Sequence, residues 1–164
     1  MAACISSEII YCLMGDINMH GNVFSPAYMF SNGVSLLILV LAIWRPVLAR
    51  TLLSILFTGA AFFNAYTVLA HPQLYLEYAD TAALPVYEQF IRHVFSLHVT
   101  NYVLLIATGQ LLIGTCMAGR GLLSRGALLG AIIFLVSIAP LGAAAAFPST
   151  VVLAAACEVL FIKG

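Results

Sequence analysis

Hydrophobic positions along this chain come in long, nearly charge-free runs. A bilayer hydrocarbon core of about 30 Å takes about 20 apolar residues in helical form, and four runs of that order stand out, at 27–44, 49–70, 94–117 and 126–147. A fifth, 150–162, follows Pro148 and Ser149, residue types that open helices, and ends before Lys163. It is short for a full crossing, and a re-entrant or tilted segment is the alternative. The pattern predicts an all-α fold, an integral membrane bundle of about five transmembrane helices. Residues 1–164 then form a single transmembrane domain, with 1–26 outside the bilayer.

The one long connection, 71–93, has a different texture. Pro72 can open a helix carrying Leu74, Tyr75, Leu76 and Tyr78, while Glu77, Asp80 and Thr81 supply polarity. Tyrosines suit the membrane interface, where the ring body is apolar and the hydroxyl reaches water. Pro85 breaks the segment before Tyr87 and Phe90 lead into the next span.

Cytoplasmic loops collect Lys and Arg, so the few charges orient the chain. Arg45 and Arg50 lie at the first connection, Arg120 and Arg125 at the third, and Lys163 follows the last run; Arg92 alone lies elsewhere. Five crossings with the N-terminus outside put those five cations inside. They also put Glu8, Asp16, Glu77, Asp80 and Glu88 outside. Four crossings would strand Lys163, so the expected topology is N-out and C-in. The N-terminal stretch lacks the pattern of a cleaved signal peptide, and the first span is expected to target the chain. The expected location is the inner (cytoplasmic) membrane of a bacterium.

Composition agrees with this picture: of 164 residues, 63% are hydrophobic and 7% charged, against about a quarter charged in an ordinary soluble domain. Six basic and six acidic residues cancel, so no basic surface points to nucleic acid. Cys4, Cys12, Cys116 and Cys157 are too far apart for a C-x-x-C pair or a zinc knuckle. Cys116 and Cys157 read as apolar filler, whereas Cys4 and Cys12 fall outside, where a disulfide can form. Small residues such as Gly59, Ala60, Ala61, Gly126, Gly130, Gly142 and Ala143 permit close helix contact. Packing explains them better than a dedicated dimer motif.

Ionisable and polar residues within spans are functional candidates because lipid penalises them. Glu158 lies five residues before Lys163, roughly 8 Å inside the cytoplasmic boundary. Gln110 falls at comparable depth on its own helix, so a hydrogen bond between them is geometrically allowed. A proton relay or a contact to a quinone carbonyl is the functional reading; a carboxyl that joins helices is the bland one, and the better supported. Toward the outer side, Asn64, His98 and Asn101 fall at similar depth. His98 and Asn101 share a helix face, with Tyr66 or Tyr102 bordering it. They could line a polar pocket closed by 71–93, although plain interhelical hydrogen bonding with no ligand explains them better.

Four histidines raise the question of haem, which membrane cytochromes clamp between histidines on facing helices. Their placement argues against it. His20 is in the N-terminal stretch, His71 and His93 are at helix ends, and His93 and His98 belong to one helix. A metal site from His71, His93 and Glu77 or Asp80 is a further alternative, less economical than capping or interfacial histidines. The chain has no G-x-S-x-G, G-x-x-x-x-G-K-[ST] or H-E-x-x-H motif, so hydrolytic and nucleotide-driven chemistry find no support. No catalytic residue is assigned.

From about residue 45 onward the chain resembles the DoxX-like family of small four-helix membrane proteins. The residues that carry the likeness are RPVLARTLLSILFTGAAFFNAY, PQLYLEYAD followed by LPVYEQF, LLIATGQLLIG, and GAIIFLVSIAPLGAAAAFP. The resemblance implies a four-helix bundle with the first span added, and relatives that look like subunits of thiosulfate:quinone oxidoreductase or that work with redox or maturation partners. It transfers no catalytic residue.

Small size, missing motifs and short loops together predict an accessory or structural subunit of a membrane complex, redox or photosynthetic complexes being such settings. Its partners would be the lipid bilayer and other membrane subunits. The alternative is a quinone-linked oxidoreductase subunit or a small-molecule transporter using the polar residues in the spans. Transport is weakened by the lack of inverted repeats, Pro140 being the one mid-span proline.

Overall fold

A computed structural model of the chain describes residues 26–119 and 121–164. The fold is all-α, and no strand occurs among the described residues. Helix α1 spans Pro26–Trp44 and α2 spans Pro46–Ala70, with only Arg45 between them. Pro46 at the first position of α2 fits a helix start, because the missing N–H would have no partner there. The chain turns at Arg45, and the two helices pack against each other. The connection that follows holds a 3-10 turn at Pro72–Tyr75, the short α3 at Tyr78–Thr81, α4 at Pro85–His93, and a second 3-10 turn at Phe95–His98. Then come α5 (Val99–Met117), α6 (Leu122–Ile138) and α7 (Ser149–Lys163).

The five longer helices close into a ring. Helix α2 packs against α1 and α5, α5 against α6, α6 against α7, and α7 against α1. An up-and-down ring with an odd number of helices must contain one parallel pair, and here it is α1 and α7. Lys163, at the end of α7, bonds the carbonyls of Ala42 and Ile43 at the end of α1. The main core lies inside this ring: Ile38, Leu53, Phe57, Met117, Leu128 and Leu160 are fully buried, with alanines such as Ala42, Ala49, Ala131 and Ala156 where helices meet closely. Phe57 meets Phe134 edge-on at 6.0 Å, a geometry favoured by the ring quadrupole.

A second, smaller core lies at one end, under the 71–93 connection. Val68, Ala79, Ile91, Phe95, Val99 and Val103 form it, bordered by Tyr75, Tyr78 and Tyr102. The connection is therefore a cap with its own packing. Pro85 begins α4 at its first position, in addition to ending what precedes it. The cap is tied to the end of α6 by Ala83 N–H to the Pro140 carbonyl (2.8 Å), Thr81 Oγ1 to Leu141 O (3.1 Å) and Tyr87 OH to Ser137 O (2.8 Å).

Among the described residues, three segments are long and apolar enough to cross a membrane: Pro46–Ala70, Phe95–Met117 and Leu122–Gly142. The other two expected spans, α1 and α7, are not among these three. Helix α1 is the shorter apolar segment Tyr28–Trp44 by that measure, and α7, with 15 residues, spans about 22 Å against the roughly 30 Å of a bilayer core. The fourth run also differs from the expected 126–147. It begins at Leu122, and its α-helix stops at Ile138, where a 3-10 turn at Ala139–Ala145 takes over. Pro140 cannot donate to the helical ladder, and Gly142 sits at φ 75°. A Cβ on Gly142 would also lie 2.4 Å from the Thr81 carbonyl oxygen, so the cap approaches closest where a side chain is missing.

Large apolar side chains remain exposed on all five bundle helices, among them Phe30 on α1, Phe62 and Leu69 on α2, Leu105 and Leu112 on α5, Ile133 on α6 and Ile162 on α7. A helix apolar all round must be covered by lipid or by protein.

Candidate functional site

The tightest helix contact sets the geometry of the polar residues. Where α2 crosses α5, Gly114 lets the backbones approach: a Cβ there would fall 2.5 Å from Thr58 Oγ1 and 2.9 Å from its backbone nitrogen. Ser54 Oγ donates to the Gly114 carbonyl at 2.6 Å in the same contact. Further along the pair, Asn64 Nδ2 donates to Gln110 Oε1 at 2.8 Å. Gln110 is only 6% exposed and Asn64 is half-buried, so this amide pair is a partly buried bond between helices. From the cap, Tyr75 OH reaches Asn64 Oδ1 at 3.0 Å and the Asn64 carbonyl at 3.2 Å.

The result is a polar seam, Tyr75 to Asn64 to Gln110, leading from the cap into the bundle. Tyr75 and Tyr78 stack at 5.9 Å with their planes 10° apart. Burial pushes the Tyr75 phenol well above its ordinary range, and Tyr78 adds to the shift, while a hydrogen bond with the buried Thr67 opposes it. Burial raises Tyr78 as well. Both phenols thus stay protonated donors at neutral pH.

Two groupings that the sequence allowed are not formed. Gln110 bonds Asn64, and Glu158 lies exposed on the outward side of α7. The expected pocket of Asn64, His98 and Asn101 separates too: Asn64 turns into the seam, whereas His98 and Asn101 are exposed. Tyr102 stacks on Phe95 at 5.5 Å and meets Phe90 edge-on, so it belongs to the cap core. Tyr66 is exposed. Sequence reasoning put Tyr75 in the interfacial segment without seeing that it reaches Asn64. An aromatic hydroxyl a few residues past the end of a polar-bearing helix was the available signal.

Charges divide between the two ends. At the cap, Arg92 Nε donates to Glu88 Oε1 at 2.9 Å and Nη2 to Asp80 Oδ1 at 2.8 Å, linking α3 to α4. The hydrogen bonds to Glu88 and then Asp80 raise the guanidinium's already high pKa, and the groups are solvent-exposed. The opposite, basic end holds Arg45, Arg50, Arg125 and Lys163. Arg50 Nη2 lies 3.4 Å from the Leu160 carbonyl, and Lys163 caps the C-terminus of α1, where exposed carbonyls and the helix dipole favour a cation. Cys157 is buried and Cys116 half-buried, both as free thiols. Cys4, Cys12, Glu8, Asp16, His20 and Arg120 lie outside the described residues.

Among the described residues, no three His, Cys, Asp or Glu side chains gather in a way that could hold a metal ion. Asp80, one member of the metal site considered from sequence, is engaged by Arg92. What the seam can do chemically is donate and accept hydrogen bonds; it contains no nucleophile with an adjacent base. Compared with protein-family models, curated proteins and solved structures, the chain shows no match.

Proposed function

We propose that the protein is an accessory or structural subunit of a membrane complex, resident in the inner membrane of a bacterium. The observation that carries this reading is the exposure of large apolar side chains on every bundle helix, together with polar span residues turned toward one another. Exposed residues such as Phe62, Leu105 and Ile133 give lipid and neighbouring subunits a continuous apolar surface. The bonds from Tyr75 to Asn64 and from Asn64 to Gln110 join the cap and two helices, a role in helix packing that needs no substrate.

Kinship with DoxX-like proteins belongs to the same proposal. The residues that suggest it lie in α2, the cap, α5, α6 and the turn before α7, and α1 packs between α2 and α7 as an added element. In the orientation that accompanies this reading, Arg45, Arg50, Arg125 and Lys163 face the cytoplasm and the cap faces outward.

Purification from native membranes in mild detergent tests the proposal. A stoichiometric partner that co-migrates on a native gel is the expected result; a chain that migrates alone overturns it. One observation favours a second reading, a quinone-linked subunit: among the described residues, the Gln110 amide N–H groups have no partner at the inner end of the seam. In that case a quinone should co-purify and be lost on Gln110→Leu.

A further inference from the structure

Glu158 is the only acidic residue within the five bundle helices among the described residues. It is exposed, and among the described residues it has no hydrogen-bond or ionic partner. Several other polar side chains of the bundle are paired. Asn64 donates to the Gln110 oxygen, Ser54 bonds the Gly114 carbonyl, and Thr108, Thr115 and Ser137 return to carbonyls of their own helices.

Its neighbours on α7 complete a face. Val151, Glu158 and Ile162 are exposed, with half-buried Ala155 between them. The spacings of four, three and four residues place these side chains on one stripe of an α-helix. A small residue beside the carboxylate lets another helix approach closely.

Retreat of the carboxylate to water is disfavoured by direction. Side chains in a helix tilt toward its N-terminus, and α7 runs toward the basic end, so the tilt carries Glu158 away from the nearer rim. Lys163 is held by the carbonyls that end α1, and Arg50 is turned toward the Leu160 carbonyl. Neither of these cations is placed to neutralise Glu158. A symmetric contact between two copies through this stripe would bring two carboxylates together, which is unfavourable.

We propose that the outward stripe of α7, Val151, Ala155, Glu158 and Ile162, is a docking face for a transmembrane helix of a different protein that presents an Arg or Lys to Glu158. This rests on the accessory-subunit reading and assigns the surface it uses. Positive charge is enriched at cytoplasmic helix ends, so a cation at the depth of Glu158 lies where membrane helices commonly carry one. The apolar members of the stripe supply packing, and the ion pair sets register.

Site-specific photocrosslinking in the native membrane tests this, with the photoreactive residue at Val151 or Ile162, and at Leu105 or Leu112 on the outward side of α5 for comparison. The expected result is one heterologous adduct from the α7 positions at least tenfold stronger than from α5. The crosslinked peptide should map to a membrane helix with Arg or Lys within one turn. Glu158→Lys should abolish that adduct, and changing the partner's cation to Glu should restore it. Three results overturn the inference: adducts of twice this chain's mass, lipid adducts alone, or a heterologous adduct indifferent to Glu158→Lys. Native-gel migration separates the two claims. A complex that persists while the adducts come from α5 leaves the subunit reading intact and refutes this face, whereas a chain that migrates alone refutes both.

Discussion

Asn64 joins three parts of the molecule through one side chain. Its amide nitrogen holds Gln110 on α5, and its oxygen accepts from Tyr75 of the cap. Removing it therefore does more than removing either partner. In Asn64→Leu, the Gln110 oxygen loses its partner, at a cost of about 1–3 kcal/mol for a buried unsatisfied group, while the Tyr75 hydroxyl loses the Asn64 side chain and keeps the backbone carbonyl of residue 64. Gln110→Leu leaves the bond to Tyr75 intact and should cost less. The double variant should cost less than the sum of the singles, by a coupling of about 0.6–1.7 kcal/mol, the range of interhelical hydrogen bonds in membranes. Unfolding in detergent followed by circular dichroism measures all three, and strict additivity would show that the bond does not couple the helices. Both amides were legible in the sequence as polar residues inside apolar runs, but their pairing was not. Depths counted from the helix ends put them near opposite sides. In an antiparallel pair, however, each side chain tilts toward its own helix N-terminus, so Asn64 and Gln110 lean toward each other.

At the scale of elements, prolines and small residues explain most of what the apolar runs could not. Pro46, Pro72 and Pro85 mark the starts of α2, the first cap turn and α4. Pro140 with Gly142 ends α6 before its apolar run is exhausted, because hydropathy reports burial or lipid exposure and is blind to a missing N–H. Which glycine matters was also hidden: Gly59, conspicuous beside two alanines, has open space where a Cβ would go, whereas Gly114 has none. Contact depends on how two helices cross, and no single helix encodes that. Gly114→Val should force α2 from α5 at a cost of about 1–3 kcal/mol. Gly59→Ala should be neutral or stabilising by about 0.5–1 kcal/mol, since alanine favours the helix and meets nothing. Thermal unfolding of the two variants in the same detergent checks the contrast, and equal effects would refute the close crossing at Gly114.

Among the described residues, the charges other than Glu158 fall at two ends with an apolar bundle between them. Glu77, Asp80 and Glu88 lie on the cap, where Arg92 is already answered by Asp80 and Glu88. Arg45, Arg50, Arg125 and Lys163 gather at the other end. This segregation was legible from charge positions alone, because they follow the connections. The ring order was not, since it depends on α1 closing against α7 through Lys163. The orientation rule converts the polarity into a prediction: the end rich in Arg and Lys stays in the cytoplasm. Glu77, exposed on the cap, and Arg125, exposed near the start of α6, lie at opposite ends and serve as reporters. With Cys4, Cys12 and Cys116 replaced by Ser, a membrane-impermeant thiol reagent should modify Glu77→Cys in intact cells, and should modify Arg125→Cys only after permeabilisation. Cys157 is buried and should remain silent in both variants. Reversed accessibility would place the cap in the cytoplasm, and would move Glu158 to the outer half of the bilayer, where cytoplasmic helix-end cations of a partner could not reach it.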